Sequence, residues 1–440
     1  MKKMFFLILM LTTSWYAFSS HLMLDGLYVG SGGSIYPGTQ RTYQVYVPEQ
    51  YTGHQPACLY VGLDGVLCHA PQVMDSLIDA GLMPVTIGVF LQPGVISDAE
   101  GNVLRYNRSN EFDATDATFA HFLETELLPE VETMVTSDGR PIHLSHRGCD
   151  RMIFGLSSGG IAAFTAAWHR PDLFGRVFSG VGTFVAMRGG NDLQAAVRKS
   201  EPRPLKVFLQ DGSNDAWNPL FGHWYEGNRM LATALEFAGY DCRFDWSDGG
   251  HNVKRSTEIF ADVMTWMWSD WPDEITVGST KNDLLSHLLI PGEGWQEIAV
   301  PHGDFNADLT AISPDSTIMA SAENGTNYLW QYIINNGKPE NGQRFYWLHN
   351  YDNSTLKIGP MAFDGNGDLW VTTSAGLQIC DQNGRVRGII MLPCEAAQVR
   401  AVIIDDNRVT LVTTGNKGYT RRFNLPAPVP GVKPKSQGQG

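Results

Sequence analysis

The sequence predicts an α/β fold in which a doubly wound, mostly parallel sheet is followed by a smaller all-β region. Between Arg41 and Pro272, strand-like apolar runs alternate with helix-like runs, as in sheets that carry helices on both faces. After Pro272 the chain changes to short alternating strands separated by Gly, Asn and Asp turns. The length of 440 residues also exceeds one compact core, since a domain usually has roughly 100 to 200 residues. We therefore expect two domains, at residues 20–272 and 273–424.

The strands and helices of the first domain are predicted from apolar runs and from helical spacing. Between residues 113 and 135 apolar residues recur at helical spacing, and Asp113 or Thr115 is placed to cap the first turn. The predicted strands are 42–47, 58–63, 83–89, 151–154, 205–209 and one near Phe244; the other predicted helices are 161–168, 228–237 and 263–271.

Three stretches of the second domain resemble one another. Each places an apolar residue before a turn and a second strand, and the matching residues Ile312, Phe363 and Ile403 are 51 and 40 residues apart. This spacing is close to one four-stranded propeller blade, so we expect part of a propeller. Closed propellers usually have at least four blades, whereas this region has room for roughly three. The sequence therefore does not explain how the ring of blades would close. The Pro-rich tail at 425–440 is poor in apolar residues and is expected to be disordered.

The first residues have the pattern of a cleaved secretory signal at 1–19. Lys2 and Lys3 precede an apolar run from Met4 to Leu11, and small residues lead to Ser19. A membrane anchor is the alternative, but the run is shorter than the roughly 20 residues that span a bilayer. We expect export to the periplasm or the medium, with no membrane span after signal removal.

Composition and cysteine spacing exclude other classes of site and partner. The 32 Lys and Arg residues are outnumbered by 46 Asp and Glu residues, and a net charge of -14 repels nucleic acid. The six cysteines have no metal-binding spacing, so no structural zinc is expected. Cys380 and Cys394 either pair in an oxidising compartment or are buried thiols.

A G-x-S-x-G pattern stands at residues 155–159, with Ser157 at its centre. So short a pattern also occurs by chance in a glycine-rich chain, but this one lies between a predicted strand and a predicted helix. The glycines permit a sharp turn that projects the serine hydroxyl at the positive end of the helix. Ser157 is the candidate nucleophile, and the backbone N–H of Ser158 is a candidate oxyanion donor.

A serine hydroxyl needs a base to take its proton and an acid to support the base. His251 follows two glycines on a predicted loop, where its imidazole can reach inward, and is the candidate base. Asp215 lies on the loop after the 205–209 strand and is the candidate acid, with Asp211 and Asp248 as rivals. The second oxyanion donor is expected at Val66, after the turn that follows the 58–63 strand, although a plain tight turn is the alternative.

Together these segments resemble the esterase D family of α/β-hydrolases, which contains enterochelin esterases, feruloyl and acetylxylan esterases and mycolyltransferases. The resemblance covers about residues 33–271 and implies that Ser157, Asp215 and His251 are the triad and that Val66 and Ser158 are the oxyanion donors. Leu63 stands where some members carry glutamine, and residues 136–148 are longer and more polar than in the family. The matching segments are 36–41, 43–48, 63–65, 107–113, 126–130, 155–160, 210–215 and 249–251.

The second domain resembles a gluconolactonase-type propeller fragment. That family binds a divalent metal through a set that includes a glutamate, and the glutamate is absent at Ile358, before Gly359 and Pro360. We therefore expect no metal and no lactonase activity. The region is expected to pack on the first domain or to bind a partner.

The predicted function is hydrolysis of a carboxylic ester through an acyl-enzyme, without a cofactor. Feruloyl or acetyl groups on polysaccharide are the expected substrates. Arg108, Glu111 and Trp224 are candidate substrate-binding residues, although an ion pair between the first two and simple packing of Trp224 and Trp217 are open alternatives. An enterochelin-type siderophore esterase, acyl transfer to a sugar and a non-catalytic glycan- or protein-binding module also stay open, as does the oligomeric state.

Overall fold

A computed structural model of the chain describes residues 21–300, 305, 307–323, 325–351, 355–415 and 417–425. The predicted signal peptide at 1–19 lies outside these residues, as does the predicted disordered tail apart from Leu425. None of the helices in the described part of the chain is long and apolar enough to span a membrane.

Residues 21–272 contain twelve strands, of which ten form one mixed sheet with helices on both faces and two form a separate hairpin. The strands are β1 (Leu22–Val29), β2 (Gln40–Val47), β3 (Cys58–Leu63), β4 (Thr86–Leu91), β5 (Val95–Ser97), β6 (Val103–Tyr106), β7 (Arg151–Leu156), β8 (Arg176–Gly180), β9 (Lys206–Gly212), β10 (Trp217–Asn218), β11 (Gly222–His223) and β12 (Asp241–Ser247). The helices are α1 (Ala70–Asp79), α2 (Arg108–Phe112), α3 (Thr118–Phe122), α4 (Leu128–Val131), α5 (Ser158–His169), α6 (Leu193–Lys199), α7 (Trp224–Ala238) and α8 (Lys254–Met267), with a π-helical turn at Leu123–Leu127 and 3-10 turns at Gly148–Asp150 and Gly190–Asp192.

The order of the strands brings several loops to one edge of the sheet. The order is β12-β9-β8-β7-β3-β4-β2-β5-β6, with β1 paired to β2 and β10 with β11 in a separate hairpin. The strands from β12 to β4 are all parallel. After β3 the chain adds β4 on one side, and β7 then returns to the other side of β3. Ligands of open α/β sheets bind at such a switch point, outside the carboxyl ends of the strands.

Alternation along the strands divides the core between the two faces of the sheet. On β3, the buried side chains of Leu59 and Val61 pack in the cluster that also contains Phe122 and Ile161, from α3 and α5. Tyr60, between them, packs in the cluster of the opposite face with residues of α1 and α8. Helices therefore cover both faces of the parallel strands, which explains why the sequences of these strands are almost continuously apolar.

The second part of the chain forms three four-stranded sheets. Their orders are β14-β15-β16-β17, β18-β19-β20-β21 and β13-β24-β23-β22, and all their pairings are antiparallel. The elements are α9 (Asp283–Leu288), β13 (Gln296–Ala299), β14 (Thr310–Ile312), β15 (Ile318–Ala322), β16 (Tyr328–Asn335), β17 (Lys338–Trp347), β18 (Ile358–Phe363), β19 (Leu369–Thr373), β20 (Gly376–Cys380), β21 (Val386–Ile390), β22 (Val399–Asp405), β23 (Arg408–Thr413) and β24 (Lys417–Arg422), with a 3-10 turn at Ala396–Gln398.

The predicted order of an α/β sheet followed by an all-β region is confirmed. The three repeat residues Ile312, Phe363 and Ile403 lie on β14, β18 and β22, and each precedes the hairpin to the next strand of its own sheet. The internal repeat therefore marks the first hairpin of each sheet. The likeness of these sheets to part of a propeller stays a prediction, as do the predicted domain boundaries.

Several predicted elements differ from the observed ones. The helix predicted at 113–135 is broken into α3, a π-helical turn and α4, and neither Asp113 nor Thr115 caps it. The Asp113 carboxylate instead accepts a hydrogen bond from Ser109 Oγ at 2.6 Å, just after α2, while Asp116 accepts from the N–H of Thr118 at 2.9 Å. The helix predicted at 263–271 ends at Met267 and begins nine residues earlier, at Lys254.

Cys380 and Cys394 do not form a disulfide, and all six cysteines are free thiols. Cys380 lies opposite Val386 where β20 pairs with β21. Because the two strands are antiparallel, the chain from Val386 onward runs away from Cys380, and Cys394 lies beyond the end of β21. The hairpin therefore separates the two sulfur atoms, and the free-thiol alternative is the one observed.

Candidate active site

The site is organised by a sharp turn at Ser157, between β7 and α5. Ser157 has φ 58° and ψ -119°, a region that residues other than glycine rarely occupy. A Cβ at Gly155 would overlap the backbone of Gly159, so this close approach of strand and helix requires glycine. The backbone of Ser157 is held on both sides, because its N–H donates to Gly180 O at 3.0 Å and its carbonyl accepts from the N–H of Thr183 at 3.1 Å.

The Ser157 hydroxyl does not cap the helix that it precedes. A serine at the position before a helix usually accepts a hydrogen bond from an N–H of the first turn, and here no such bond forms. The Oγ atom instead lies 2.8 Å from His251 Nε2 and 3.3 Å from Thr183 Oγ1. The turn therefore leaves both the hydroxyl and the first N–H groups of α5 available to a ligand.

His251 and the acid loop are brought together by two glycines. The acid loop follows β9 and the histidine loop follows β12, its neighbour in the sheet. A Cβ at Gly212 would overlap the backbone of Gly249, and the N–H of Asn214 donates to Gly249 O at 3.0 Å. These contacts fix the histidine loop against the loop that carries Asp215.

Asp215, rather than either of its rivals, contacts the histidine. Its Oδ1 atom lies 2.6 Å from His251 Nδ1 and also accepts from the N–H of Ala216, and its side chain is fully buried. Burial raises the pKa of Asp215, but the hydrogen bond with His251, the adjoining Asp211 carboxyl group and the N–H of Ala216 outweigh it and hold the pKa below its usual value. Asp248 contacts this loop through its backbone carbonyl, which accepts from Asn214 Nδ2 at 2.7 Å. Asp211 lies beside Asp215.

These contacts form a continuous series of hydrogen bonds from Ser157 through His251 to Asp215. With a proton on Nδ1 shared with Asp215, the Nε2 atom of His251 is an acceptor for the Ser157 O–H. Ser157 is half-buried and His251 is exposed, so solvent reaches both side chains at the carboxyl end of the sheet. The arrangement can therefore take the proton of Ser157 when the hydroxyl attacks a bound acyl group.

The predicted oxyanion donors lie at the ends of the adjacent strands β7 and β3. In the described part of the chain, neither the N–H of Ser158 nor that of Val66 has a hydrogen-bond acceptor. Asp64 and Gly65, with φ 64° and 83°, turn the chain sharply before Val66, and the N–H of Gly65 donates to Leu91 O at 3.0 Å. Both donors are thus free to bind a negative oxygen.

Arg108 holds the loop that carries Val66. Its Nε and Nη2 atoms lie 2.7 and 2.8 Å from the two carboxylate oxygens of Asp64, and Nη2 also lies 3.3 Å from Leu156 O. The pair bridges the ends of β3 and β7. The Arg108 side chain is 34% exposed, so it can still contact a ligand, although its charge is already paired.

The other two predicted substrate-binding residues are buried. The Glu111 side chain has no exposed surface and accepts from Arg41 at 2.6 and 2.9 Å and from Asn107 Nδ2 at 2.7 Å. Glu111 therefore does not line the cleft, and its ion pair is with Arg41 rather than Arg108. Trp224 is only 8% exposed; its indole N–H donates to Thr183 Oγ1 at 3.2 Å, and its ring lies edge-on to His251, with 5.9 Å between centroids. It packs behind the histidine instead of facing solvent.

Sequence patterns missed Thr183 and Asn228. Thr183 follows β8, a strand that was not predicted, and contacts both Ser157 and Trp224. Asn228 lies on α7 and donates from Nδ2 to Asp211 at 2.7 Å. Neither residue belongs to a short motif, and only the folded sheet brings them to the site.

The model of the family described as "Putative esterase" matches residues 34–262, slightly more than half of the 440 residues. No curated protein sequence matches the chain.

Solved structures of esterases are also similar to this chain. A ferulic acid esterase is 19% identical with a TM-score of 0.43, over 56% of this chain and 98% of its own. The enterobactin esterase FES from Shigella flexneri, with 2,3-dihydroxy-N-benzoyl-glycine, is 22% identical with a TM-score of 0.42, over 56% of this chain and 59% of its own. The feruloyl esterase module from Clostridium thermocellum is 13% identical with a TM-score of 0.40, over 58% of this chain and 90% of its own. At these values the likenesses carry no weight for the choice of substrate.

Substituting Glu111→Gln is expected to lower stability rather than substrate affinity. The change leaves the Arg41 guanidinium buried without its counter-charge, which costs about 3 to 5 kcal/mol of unfolding free energy. Urea unfolding measures the loss, and the KM for an ester reports on binding. Glu297→Gln is the matched control, because its partner Lys417 lies at 2.9 Å in an exposed pair and little change is expected. Unchanged stability together with a raised KM would place Glu111 in the cleft after all.

Proposed function

Because the chain belongs to this esterase family, we propose that it is an exported serine carboxylesterase that acts through an acyl-enzyme on Ser157. The observation that carries the proposal is the unbroken hydrogen-bonded series from Ser157 Oγ through His251 to Asp215, at 2.8 and 2.6 Å. A buried carboxylate, an imidazole and a hydroxyl in this order form a serine nucleophile with its base and its supporting acid.

Acylation begins when Ser157 Oγ attacks the carbonyl carbon of the ester. His251 Nε2 takes the hydroxyl proton, and Asp215 stabilises the resulting imidazolium through Nδ1–H. The negative oxygen of the tetrahedral intermediate accepts from the N–H groups of Ser158 and Val66. The bond to the alcohol then breaks, and His251 returns the proton to the leaving oxygen, which leaves an acyl group on Ser157.

Deacylation repeats these steps with water in place of the serine. His251 takes a proton from a water molecule, the resulting hydroxide attacks the acyl carbon, and the same two N–H groups bind the oxyanion. The bond to Ser157 Oγ breaks as His251 returns the proton to it. The products are the free acid and the enzyme in its starting protonation state.

Feruloyl or acetyl esters of polysaccharide are the proposed substrates. The exposure of His251 leaves room on the leaving-group side for an alcohol that belongs to a large molecule. The β10–β11 hairpin follows directly after Asp215 and presents exposed apolar side chains, with Trp217 66% and Leu220 81% exposed. An aromatic acyl group or a sugar ring can pack on such a surface.

The esterase unit is proposed to extend over residues 20–272, with a propeller-like unit at 273–424 docked against it. Glu201, after α6, supports this docking. Its N–H donates to Ile389 O at 2.9 Å, and its carboxylate accepts from the N–H of Met391 at 3.2 Å and pairs with Arg421 at 2.7 Å. Ring packing of Trp168 against Tyr351 adds a contact, with 5.5 Å between centroids.

Export is proposed from the N-terminal pattern at residues 1–19. N-terminal sequencing of the protein recovered from periplasm or medium is expected to begin at Ser20. An intact Met1 on active protein that stays in the cytoplasm would contradict export without affecting the proposed chemistry.

Replacing Ser157 with alanine is expected to abolish turnover. Hydrolysis of p-nitrophenyl acetate and of methyl ferulate by the full chain should fall by about a thousandfold or more, because the nucleophile is lost. Ser76→Ala removes an exposed serine on α1 and should behave like the wild type. Initial rates and circular dichroism measure activity and folding on the same samples.

Each outcome of these assays has a consequence. Equal turnover by the wild type and Ser157→Ala would overturn the serine mechanism, and an inert wild type would favour the binding-module alternative. A higher kcat/KM for methyl ferulate than for the acetate supports the feruloyl preference. Turnover of a cyclic tris-catecholate ester but of neither simple ester would support the siderophore alternative, and a transfer product with added alcohol would identify acyl transfer.

A further inference from the structure

A second buried carboxyl group lies beside the acid of the proposed triad. Asp211, near the end of β9, has no exposed surface, and its carboxyl group adjoins that of Asp215. Within the described residues, no cationic side chain forms an ion pair with Asp211. Two carboxylates in contact inside a protein repel each other strongly if both are ionised.

The hydrogen bonds around the pair leave one oxygen without a donor. On Asp211, Oδ1 accepts from the N–H of Gly212 at 2.6 Å and Oδ2 accepts from Asn228 Nδ2 at 2.7 Å. The Asn228 amide is oriented by two backbone carbonyls, Gly182 O at 2.8 Å and Trp224 O at 3.0 Å, so its NH2 group must face Asp211. On Asp215, Oδ1 accepts hydrogen bonds from His251 Nδ1 and from the N–H of Ala216. Its Oδ2 atom is buried and has no hydrogen-bond partner among the described residues.

We propose that Asp211 carries a proton in the working enzyme and donates it in a hydrogen bond to Asp215 Oδ2, which makes Asp211 a positioning residue for the triad. One shared proton satisfies the orphan oxygen and removes one of the two buried charges. It also holds the Asp215 carboxylate so that Oδ1 faces His251 Nδ1. The inference rests on the proposed function, because it takes Asp215 as the triad acid.

The groups around Asp211 favour the protonated form. The loops after β9 and β12 contribute Asp215 and, beyond it, His251; α7 contributes the neutral Asn228, and the paired residue of β12 is Trp246. No compensating positive charge directly contacts Asp211 from these elements. Burial, and then the neighbouring Asp215, raise the pKa of Asp211 well above its usual value.

The protonation state can be measured without any assay of activity. Aspartate labelled with 13C at the side-chain carboxyl gives a resonance for Asp211 that is identified by its absence in Asp211→Asn. The resonance is expected to show a protonated carboxyl at neutral pH and to titrate well above the ordinary aspartate value. Titration at the ordinary aspartate value, about 4, would overturn the proposal. This result stands whether or not the chain proves to be an esterase.

Kinetics of two matched variants test the positioning role. Asp211→Asn keeps a donor toward Asp215 Oδ2 and should retain kcat within a few-fold, whereas Asp211→Leu leaves that oxygen unsatisfied and should lower kcat by about tenfold to a hundredfold with little change in KM. Wild-type activity should change at alkaline pH, where Asp211 loses its proton. This change should be absent from Asp211→Asn, which has no proton to lose there.

The outcomes separate this inference from the proposed function. Equal loss of kcat in both variants, with both folded by circular dichroism, would overturn the donor role. If Asp211→Leu fails to fold, the NMR titration and the Asp211→Asn pH profile decide. Activity that survives Ser157→Ala would instead contradict the serine mechanism and leave the protonation result intact.

Discussion

The strained backbone at Ser157 is the constraint on which the site depends. Holding a serine at φ 58° costs of order 1 to 3 kcal/mol, and such a conformation persists only where the surrounding structure fixes it. The contact of Gly155 with Gly159 and the hydrogen bonds to Gly180 and Thr183 provide that fixation. A serine before a helix usually accepts a hydrogen bond from an N–H of the first turn, whereas this turn places the Ser157 hydroxyl 2.8 Å from His251 Nε2.

The remaining parts of the site follow from the order of the strands. Because β3, β7, β9 and β12 are parallel, the loops that carry Val66, Ser157, Asp215 and His251 all leave the same edge of the sheet. The strand order reverses between β3 and β7, and this opens the crevice between the two N–H donors. Arg108 and Asp64 close one side of that crevice with a bidentate pair, while Gly212 and Gly249 permit the acid and histidine loops to touch.

The order of the chain made the centre of the site predictable. A G-x-S-x-G turn between a strand and a helix, an acid on a later strand-end loop and a histidine after two glycines are local patterns that were readable without a structure. They led to Ser157, Asp215 and His251, which the fold brings into hydrogen-bond contact. The α/β sheet was also predictable from local patterns, because strands and helices differ in the spacing of their apolar residues.

Pairings between distant parts of the chain were not predictable. Glu111 was a candidate for contact with substrate. Its partner Arg41 lies on β2, 70 residues earlier in the chain, and nothing in the segment around Glu111 indicates that the two side chains form a buried ion pair. Trp224 is a substrate-binding candidate in the sequence, with packing as the alternative, and the packing of α7 behind His251 buries it. A carboxyl group can contact substrate, form a buried ion pair or share a proton with a second carboxyl group, as proposed for Asp211. Which of these it does depends on neighbouring side chains that come together only in the folded sheet.

Covalent labelling with a fluorophosphonate, followed by peptide mass spectrometry, tests the central claim most directly. The reagent phosphonylates a serine only when a base activates it in a folded site. One adduct is expected, on Ser157, and it should be greatly reduced in His251→Ala and absent from urea-unfolded protein. An adduct on another residue, or labelling of Ser157 that is unchanged in His251→Ala, would contradict the serine mechanism.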